Sequence, residues 1–164
     1  MNLVIYDCDK SYLKDMENTH FHDANLKYAF CQGCFDCWLR TPSKCKIKDK
    51  VYPLCDVMKD LDELIIITKS SFGSFSSQTK GVIDRLILFN LPFFKLINKE
   101  LHHKPRYPKT IKIRVYVYNE VSDFEKECLI TYVESIAKNF NCFDQKISFV
   151  SINEIGGVLW KHYF

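Results

Sequence analysis

Two rhythms of apolar residues alternate along this chain. Five short runs read as strands: residues 3–6 (LVIY), 26–30 (LKYAF), 63–69 (ELIIITK), 111–119 (IKIRVYVYN) and 146–152 (KISFVSI). The third, rich in β-branched residues and bounded by polar ones, has the pattern of a strand buried on both faces. Between the runs, apolar residues recur at helical spacing. Leu54, Val57, Met58 and Leu61 follow Pro53; Val82, Ile83, Leu86 and Ile87 share one face of residues 79–89; Phe124, Cys128, Ile136 and Phe140 recur along residues 122–140. Ser122 and Glu125 form a capping box at the start of that last and clearest helix. A weaker helical stretch lies at residues 11–18, and a short tail follows residue 152.

Strand–helix alternation of this kind implies a parallel sheet with helices on both faces. The fold class expected is α/β: a flavodoxin-like three-layer sandwich with a five-stranded parallel sheet in the order 2-1-3-4-5. Residues 1–164 are expected to form a single domain. All strands of such a sheet end on one edge, and ligands bind in the crevice outside it. Loops 7–12, 31–45, 69–77 and 119–123 then share that rim. Residues 91–109 are an insertion before strand four. Its runs FFKLI and ELHHK flank Asn98 and Lys99, which predicts a hairpin. His102 and His103, adjacent in a strand, point to opposite faces and do not easily share a metal. The insertion reads as a solvated arm, or as a lid or dimer arm covering the rim, with Lys104 or Arg106 meeting an anionic group. Its Phe93, Phe94 and Tyr107 suit an interface.

Composition narrows the function. A chain of 164 residues buries roughly 70% of its unfolded surface, so cysteines are not needed as staples. The start turns acidic at Asp7 and Asp9 before an apolar stretch develops, so no secretory leader is expected. The longest apolar runs are too short to cross a bilayer, so no membrane partner is expected. A cytoplasmic protein with reduced thiols follows. The net charge of +3 is mild, with acids and bases interleaved, which argues against a nucleic-acid partner.

Two stretches carry candidate chemistry. In CQGCFDCWLRTPSKC lie Cys31, Cys34, Cys37 and Cys45, four of the chain's eight cysteines. Three cysteines spaced by two residues can wrap one small centre, and a fourth can close it, a recurrent iron–sulfur spacing. Zinc also takes four thiolates, and plain structural thiols account for the spacing as well. Arg40, Lys44 and Lys46 suit the negative charge of a thiolate-ligated cluster, and equally a lowered thiol pKa. Cys8, Cys55, Cys128 and Cys142 are dispersed, and Cys128 reads as core. The second stretch is TKSSFGSFSSQTKGVIDR, residues 68–85. Gly73 permits a tight loop, its small neighbours let backbone N–H groups approach a ligand, and Phe72 and Phe75 offer flat apolar walls. An ordinary strand-to-helix connection with a serine cap explains the same residues.

Taken together, the stretches resemble the flavodoxin-like NADPH-dependent FMN reductases and iron–sulfur flavoproteins. The matching residues are Cys31, Gly33, Cys34, Cys37, Trp38, Thr41, Pro42 and Cys45, then Gly73, Ser74, Phe75, Ser76, Ser77, Lys80, Asp84 and Arg85. The resemblance implies FMN bordered by Ser71, Phe72, Gly73, Ser74, Phe75 and Ser76 on one side and by Asn119 and Glu120 on the other. It implies NAD(P)H as electron donor, a [4Fe–4S] cluster as one use of the four cysteines, and a homodimer or homotetramer. The flavin carries the redox chemistry, so no catalytic residue is assigned. In one place the chain departs from the pattern. Relatives hold the FMN phosphate in a Gly/Ser/Thr/Asn-rich loop after strand one, at a helix N-terminus. Here that loop reads YDCDKSYLKD, with no glycine, and Asp7 and Asp9 repel a phosphate. Lys10, Ser11 and Lys14 offset this, with Lys10 and Ser11 the candidate phosphate contacts. The function expected is an FMN-dependent NAD(P)H oxidoreductase or flavin electron-transfer protein, whose partners are a small-molecule cofactor and a redox partner. The alternatives are an iron–sulfur or metal-binding electron-transfer module built on the four cysteines, or a flavodoxin-like scaffold that has lost its flavin.

Overall fold

The computed structural model describes residues 1–163, with side chains through Leu159. In chain order the elements are β1 (Asn2–Tyr6), β2 (Thr19–Asp23), α1 (Asp36–Leu39), α2 (Leu54–Val57), β3 (Glu63–Thr68), β4 (Ser70–Ser71), β5 (Ser74–Phe75), α3 (Ser77–Arg85), β6 (Asn90–Ile97), β7 (Glu100–Pro105), β8 (Ile111–Val117), α4 (Asp123–Asn139), β9 (Cys142–Phe149) and α5 (Ile155–Tyr163). The main sheet runs β2-β1-β3-β8-β9, parallel throughout. This is the flavodoxin-like order expected from the sequence. β3 is buried along its whole length, as its β-branched run requires.

Successive residues of a strand face opposite sides, and the two sides have different covers. Leu3, Ile5, Leu64, Ile66, Ile113 and Val115 join a core with residues of α2, α3 and α4. Val4, Tyr6, Ile65, Ile67 and Tyr116 face Ile155 and Leu159 of α5, with Leu13 and Met16 beside them. The weak helix expected at residues 11–18 is only a 3-10 turn, Lys10–Tyr12. The short tail expected after residue 152 is instead the helix α5, which covers the sheet face that a longer first helix would otherwise share.

Strand two is displaced from its expected place. It lies at Thr19–Asp23, not at residues 26–30. Its sequence, THFHD, hides a strand because His22 occupies a core position at 3% exposure. Burial, and then neighbouring His20, lower the His22 pKa, so a neutral ring sits there. In α4 the capping box forms as read, but Phe124 is 74% exposed; Leu129, Val133, Ile136 and Ala137 carry the buried face. Cys128 is half-buried rather than core.

The insertion is a hairpin of β6 and β7. Asn98 and Lys99 both take left-handed φ, 49° and 69°, as a two-residue turn of the primed type demands. The hairpin does not cover the rim. Lys138 meets Glu100 at 2.7 Å and His102 Nδ1 lies 3.2 Å from Asn139 Oδ1, so it packs on the last turn of α4, whereas the rim lies at the first.

Candidate functional site

β1 and β3 end side by side where the strand order turns back, the crevice in which such sheets bind ligands. There Asp7, next after β1, turns its carboxylate inward. Its Oδ2 accepts from Thr68 Oγ1 at 2.8 Å, from Thr79 Oγ1 at 3.1 Å and from Ser76 Oγ. Its Oδ1 accepts from the Tyr118 hydroxyl at 2.9 Å, and the Lys69 N–H lies 3.3 Å from both oxygens. Thr68, Ser76 and Thr79 are all buried. Burial and then the Asp7 charge raise the Tyr118 pKa, which keeps its phenol a donor. The same two causes push the neighbouring Cys8 thiol up to about 11. Nothing in the sequence distinguishes this hub from a surface acid, because its donors come from the ends of three strands and from α3.

Residues 69–77 form a tight hairpin rather than an open loop. β4 pairs with β5 across Phe72 and Gly73, both with left-handed φ. Gly73 is required twice over: a Cβ there would lie 2.8 Å from Cys128 Cβ. Asn119 braces the hairpin, its Oδ1 accepting from Ser70 N–H at 2.6 Å and its Nδ2 reaching Ser70 O at 3.3 Å. Phe72 stands fully exposed at the tip, with Ser71 exposed and Ser74 half-buried. Phe75 is not a ligand wall: it is buried in the core, edge-on to Tyr132 at 5.0 Å. Ser76 caps α3 and gives its hydroxyl to Asp7. Asn119 and Glu120 line an open rim hollow of about 640 Å³ beside Val150 and Ser151. Lys10 and Ser11 lie exposed on the 3-10 turn, and the Ser11 N–H is taken by Asp9 at 2.8 Å. Residues 7–12 therefore do not fit a phosphate, while the exposed Phe72 face and the hollow beside Asn119 stand open at the rim.

The cysteines are not on the rim. Beyond β2 the chain runs back along α3. Tyr28 bonds to the Gln78 carbonyl, Phe30 sits edge-on to Tyr28, and Ala29 O accepts from Arg85 Nη1 at 2.7 Å. Gly81 permits the approach, for a Cβ there would meet the Phe30 ring at 2.4 Å. α3 has nine residues, about 13 Å of helix. The cysteine segment thus lies roughly a helix length from the rim, because residues 24–30 pack on a helix instead of forming strand two.

Arg85 closes that segment at both ends. Its guanidinium holds the carbonyls of Ala29 and Ile47 and grips the Asp49 carboxylate through two bonds, at 2.9 and 3.1 Å. Burial opposes both charges, yet their mutual hydrogen bonds keep Arg85 above and Asp49 below its ordinary pKa. Between the clamped ends, Cys31, Cys34, Cys37 and Cys45 all line one small cavity of about 40 Å³, with Arg85 and Lys46 also on its wall. Left-handed φ at Gly33, Phe35 and Ser43 bends the backbone in this segment. Burial, followed by the thiols of Cys45, Cys31 and Cys34, pushes Cys37 up to about 11. Among the described residues no group of three or more His, Cys, Asp or Glu side chains is placed to hold a metal ion, so the four thiols share a cavity wall without forming a closed ion site. Among the described residues Arg85 Nε is buried with no hydrogen-bond partner, and the nearby Cys45 thiol adds to the rise in the Arg85 pKa. Four thiols, an unused N–H and Lys46 suit an anionic, sulfur-rich group. At about 40 Å³ the cavity is large enough for a few waters, and Cys31 and Cys34 on its wall are exposed.

The hairpin backs this cage. Phe35 stacks on Trp38 at 5.3 Å, Trp38 meets His103 at 4.8 Å, and His103 meets Phe94 at 4.5 Å. Among the described residues Arg106 meets no anionic group; it donates to the carbonyls of Leu88, Cys37 and Asn90. Arg85 and Asp49 are the residues sequence reasoning missed: Arg85 belonged to the matched motif without a role, and Asp49 carried no signal.

No protein-family model matches the chain. Over 96 residues, 58% of its length, it is 28% identical to an iron–sulfur flavoprotein of Archaeoglobus fulgidus, and it spans 45% of that protein. Among solved structures it is similar to an azoreductase from Bacillus anthracis str. Sterne, with TM-score 0.55 and 12% identity over 94% of this chain and 87% of that one. It is also similar to an FMN-dependent NADH-azoreductase from Bacillus anthracis str. Ames Ancestor, solved in complex with FMN, with TM-score 0.52 and 11% identity over 98% of this chain and 94% of that one. At such identities the solved structures speak to the fold, which is flavodoxin-like. The curated similarity runs in the same direction as the resemblance read from the two motifs.

Proposed function

We propose that the protein is a flavin-linked electron-transfer oxidoreductase related in fold to FMN-dependent enzymes, with the four-cysteine cage as a second redox centre. The observation that carries this reading is the convergence of Cys31, Cys34, Cys37 and Cys45 on one cavity, a helix length from the ligand-binding rim of a flavodoxin-like sheet. The similarity to an iron–sulfur flavoprotein, and the fold shared with an FMN-bound azoreductase, support it. A flavin bound at the rim supplies hydride and electron chemistry, with NAD(P)H as the donor class. The chain's own part is positional. Asn119 makes the 69–77 hairpin rigid, Phe72 offers a flat apolar face, and the rim hollow leaves room for a ring.

In the cage the four cysteines would hold a [4Fe–4S] cluster, whose ligands sit on separate irons; the cavity of about 40 Å³ would have to widen to take it, by outward shifts of the exposed Cys31 and Cys34. Arg85 Nε–H and Lys46 would meet its negative charge. A zinc ion draws less support, since one ion needs four ligands closed on a single centre. The hairpin leaves Phe93, Phe94, Leu96 and Leu101 exposed, an apolar patch suited to a homodimer contact.

Anaerobic reconstitution with iron and sulfide tests the reading. The wild type is expected to gain the broad visible absorbance of a cluster, and Cys34→Ser to lose it while keeping any flavin bands. A wild type that takes up no iron, with a spectrum unchanged by Cys34→Ser, would refute the cage. Failure to take up any flavin would refute the rim.

A further inference from the structure

The donors gathered at the β1/β3 switch point are those an anion would use. Three hydroxyls, those of Thr68, Ser76 and Thr79, point to one oxygen, while the Tyr118 phenol and the Lys69 N–H complete the ring around the other. In sheets of this order, that place holds the ligand. Here the chain fills it with its own carboxylate. The Lys10–Tyr12 turn is too short to give a helix N-terminus in compensation, and Asp9 adds a second negative charge beside it. A phosphate entering the crevice would find its donors engaged and a carboxylate in their midst.

We infer that Asp7 is the specificity-determining residue of the rim: it closes the switch point to phosphate, so that the ligand accepted is a flavin held by its ring and neutral ribityl chain. The inference rests on the flavin reading above and names the ligand class within it. Riboflavin then binds at least as well as FMN, because the phosphate gains no contact and meets Asp7. Asp7 takes the role of a built-in anion. It satisfies the buried hydroxyls that would otherwise need a ligand's phosphate, so the crevice holds together without one.

Two variants separate the charge of Asp7 from the space it fills. Asp7→Asn removes the charge and keeps the shape; Asp7→Ser also opens room among the hydroxyls. Riboflavin and FMN would be titrated by flavin fluorescence, and inorganic phosphate by thermal shift, against wild type and both variants, with far-UV circular dichroism confirming folding. Wild type is expected to bind riboflavin at least as tightly as FMN and to ignore phosphate. In Asp7→Ser the FMN affinity should rise about tenfold or more relative to riboflavin, and phosphate should raise the melting temperature. Asp7→Asn should move the FMN-to-riboflavin ratio the same way. FMN or phosphate binding that emerges only in the variants supports the role of Asp7 even if the wild type takes no flavin, an outcome that would count against the flavin reading alone. A wild type that prefers FMN about tenfold or more, with that preference unchanged in both variants, overturns the inference and leaves the flavin reading standing. No gain of FMN or phosphate binding in either folded variant overturns it as well.

Discussion

Replacing Asp49 by asparagine tests whether one ion pair holds the cysteine cage shut. The Asp49 carboxylate accepts from both Arg85 terminal nitrogens and from the N–H groups of Ala29 and Val51, the last two at 2.9 and 3.1 Å. Asparagine keeps one acceptor oxygen and puts an NH2 where the other stood, facing donors. The Arg85 side chain, 1% exposed, is left with a charge and no counter-charge, while Asp49 itself is 18% exposed. Removing one partner of a buried pair costs about 3–5 kcal/mol, and partial solvation of Asp49 places the expected loss at about 3 kcal/mol. With a urea slope of about 2 kcal/mol per molar, the unfolding midpoint falls by about 1.5 M. Iron uptake should fall too, because the guanidinium that holds the Ala29 and Ile47 carbonyls loses its anchor and the Ala29 N–H loses a carboxylate. The double variant Asp49→Asn/Arg85→Gln should be no less stable than Asp49→Asn alone, since it removes the unpaired charge. A midpoint shift under about 0.3 M, well below the 1 kcal/mol scale of an ordinary substitution, together with unchanged iron uptake, would refute the clamp.

The same pair sets an acid limit. Asp49 has a lowered pKa in the fold, so its contribution is complete above the unfolded carboxylate value of about 4 and is lost as pH falls through its lower folded value; acid unfolding followed by circular dichroism should be steeper in wild type than in Asp49→Asn. Gly81→Ala gains about 1 kcal/mol of helix propensity but drives a methyl into Phe30 and Tyr28, an overpacking cost of about 1–3 kcal/mol. The expected result is net loss of stability with faster proteolysis within residues 24–30, and a more stable, equally resistant variant would count against the packing of that segment on α3. Leu96→Ser/Leu101→Ser should shift any dimer toward monomer in size-exclusion chromatography, with circular dichroism confirming that the variant is folded; an unchanged elution volume would argue against the hairpin as the contact.

Much of the sheet was legible because its central strands are unbroken apolar runs. Residues 63–68 admit no other reading, and Ser122 with Glu125 marks the start of α4 unambiguously. The edge strand was not legible. Two histidines stand where aliphatic residues would give the pattern, and burial of His22 as a neutral ring is a tertiary fact. Taking the apolar run at residues 26–30 for a strand placed the cysteines at the wrong end of α3. The cage itself was anticipated as a set of four residues, because C-x₂-C-x₂-C is a local pattern. Its closure by Arg85 and Asp49 was not, since those residues are 36 positions apart. The Asp7 hub failed for the same reason: a carboxylate that looks repulsive in a list of residues becomes a satisfied acceptor once three strands bring it donors.

α3 acts as a ruler. Ser76 and Thr79, in its N-cap and first turn, serve Asp7, and Arg85 at its last serves the cysteines. Along a helix each residue advances 1.5 Å and turns about 100°. One residue inserted between Thr79 and Arg85 would swing the guanidinium about a quarter-turn away from Asp49, and a deletion would swing it the other way. The spacing between the two candidate redox positions is therefore fixed by phase as well as by length. Over descent, the hairpin turn at Asn98 and Lys99 is free to lengthen, whereas the six-residue step from Thr79 to Arg85 can change only together with everything at one of its ends.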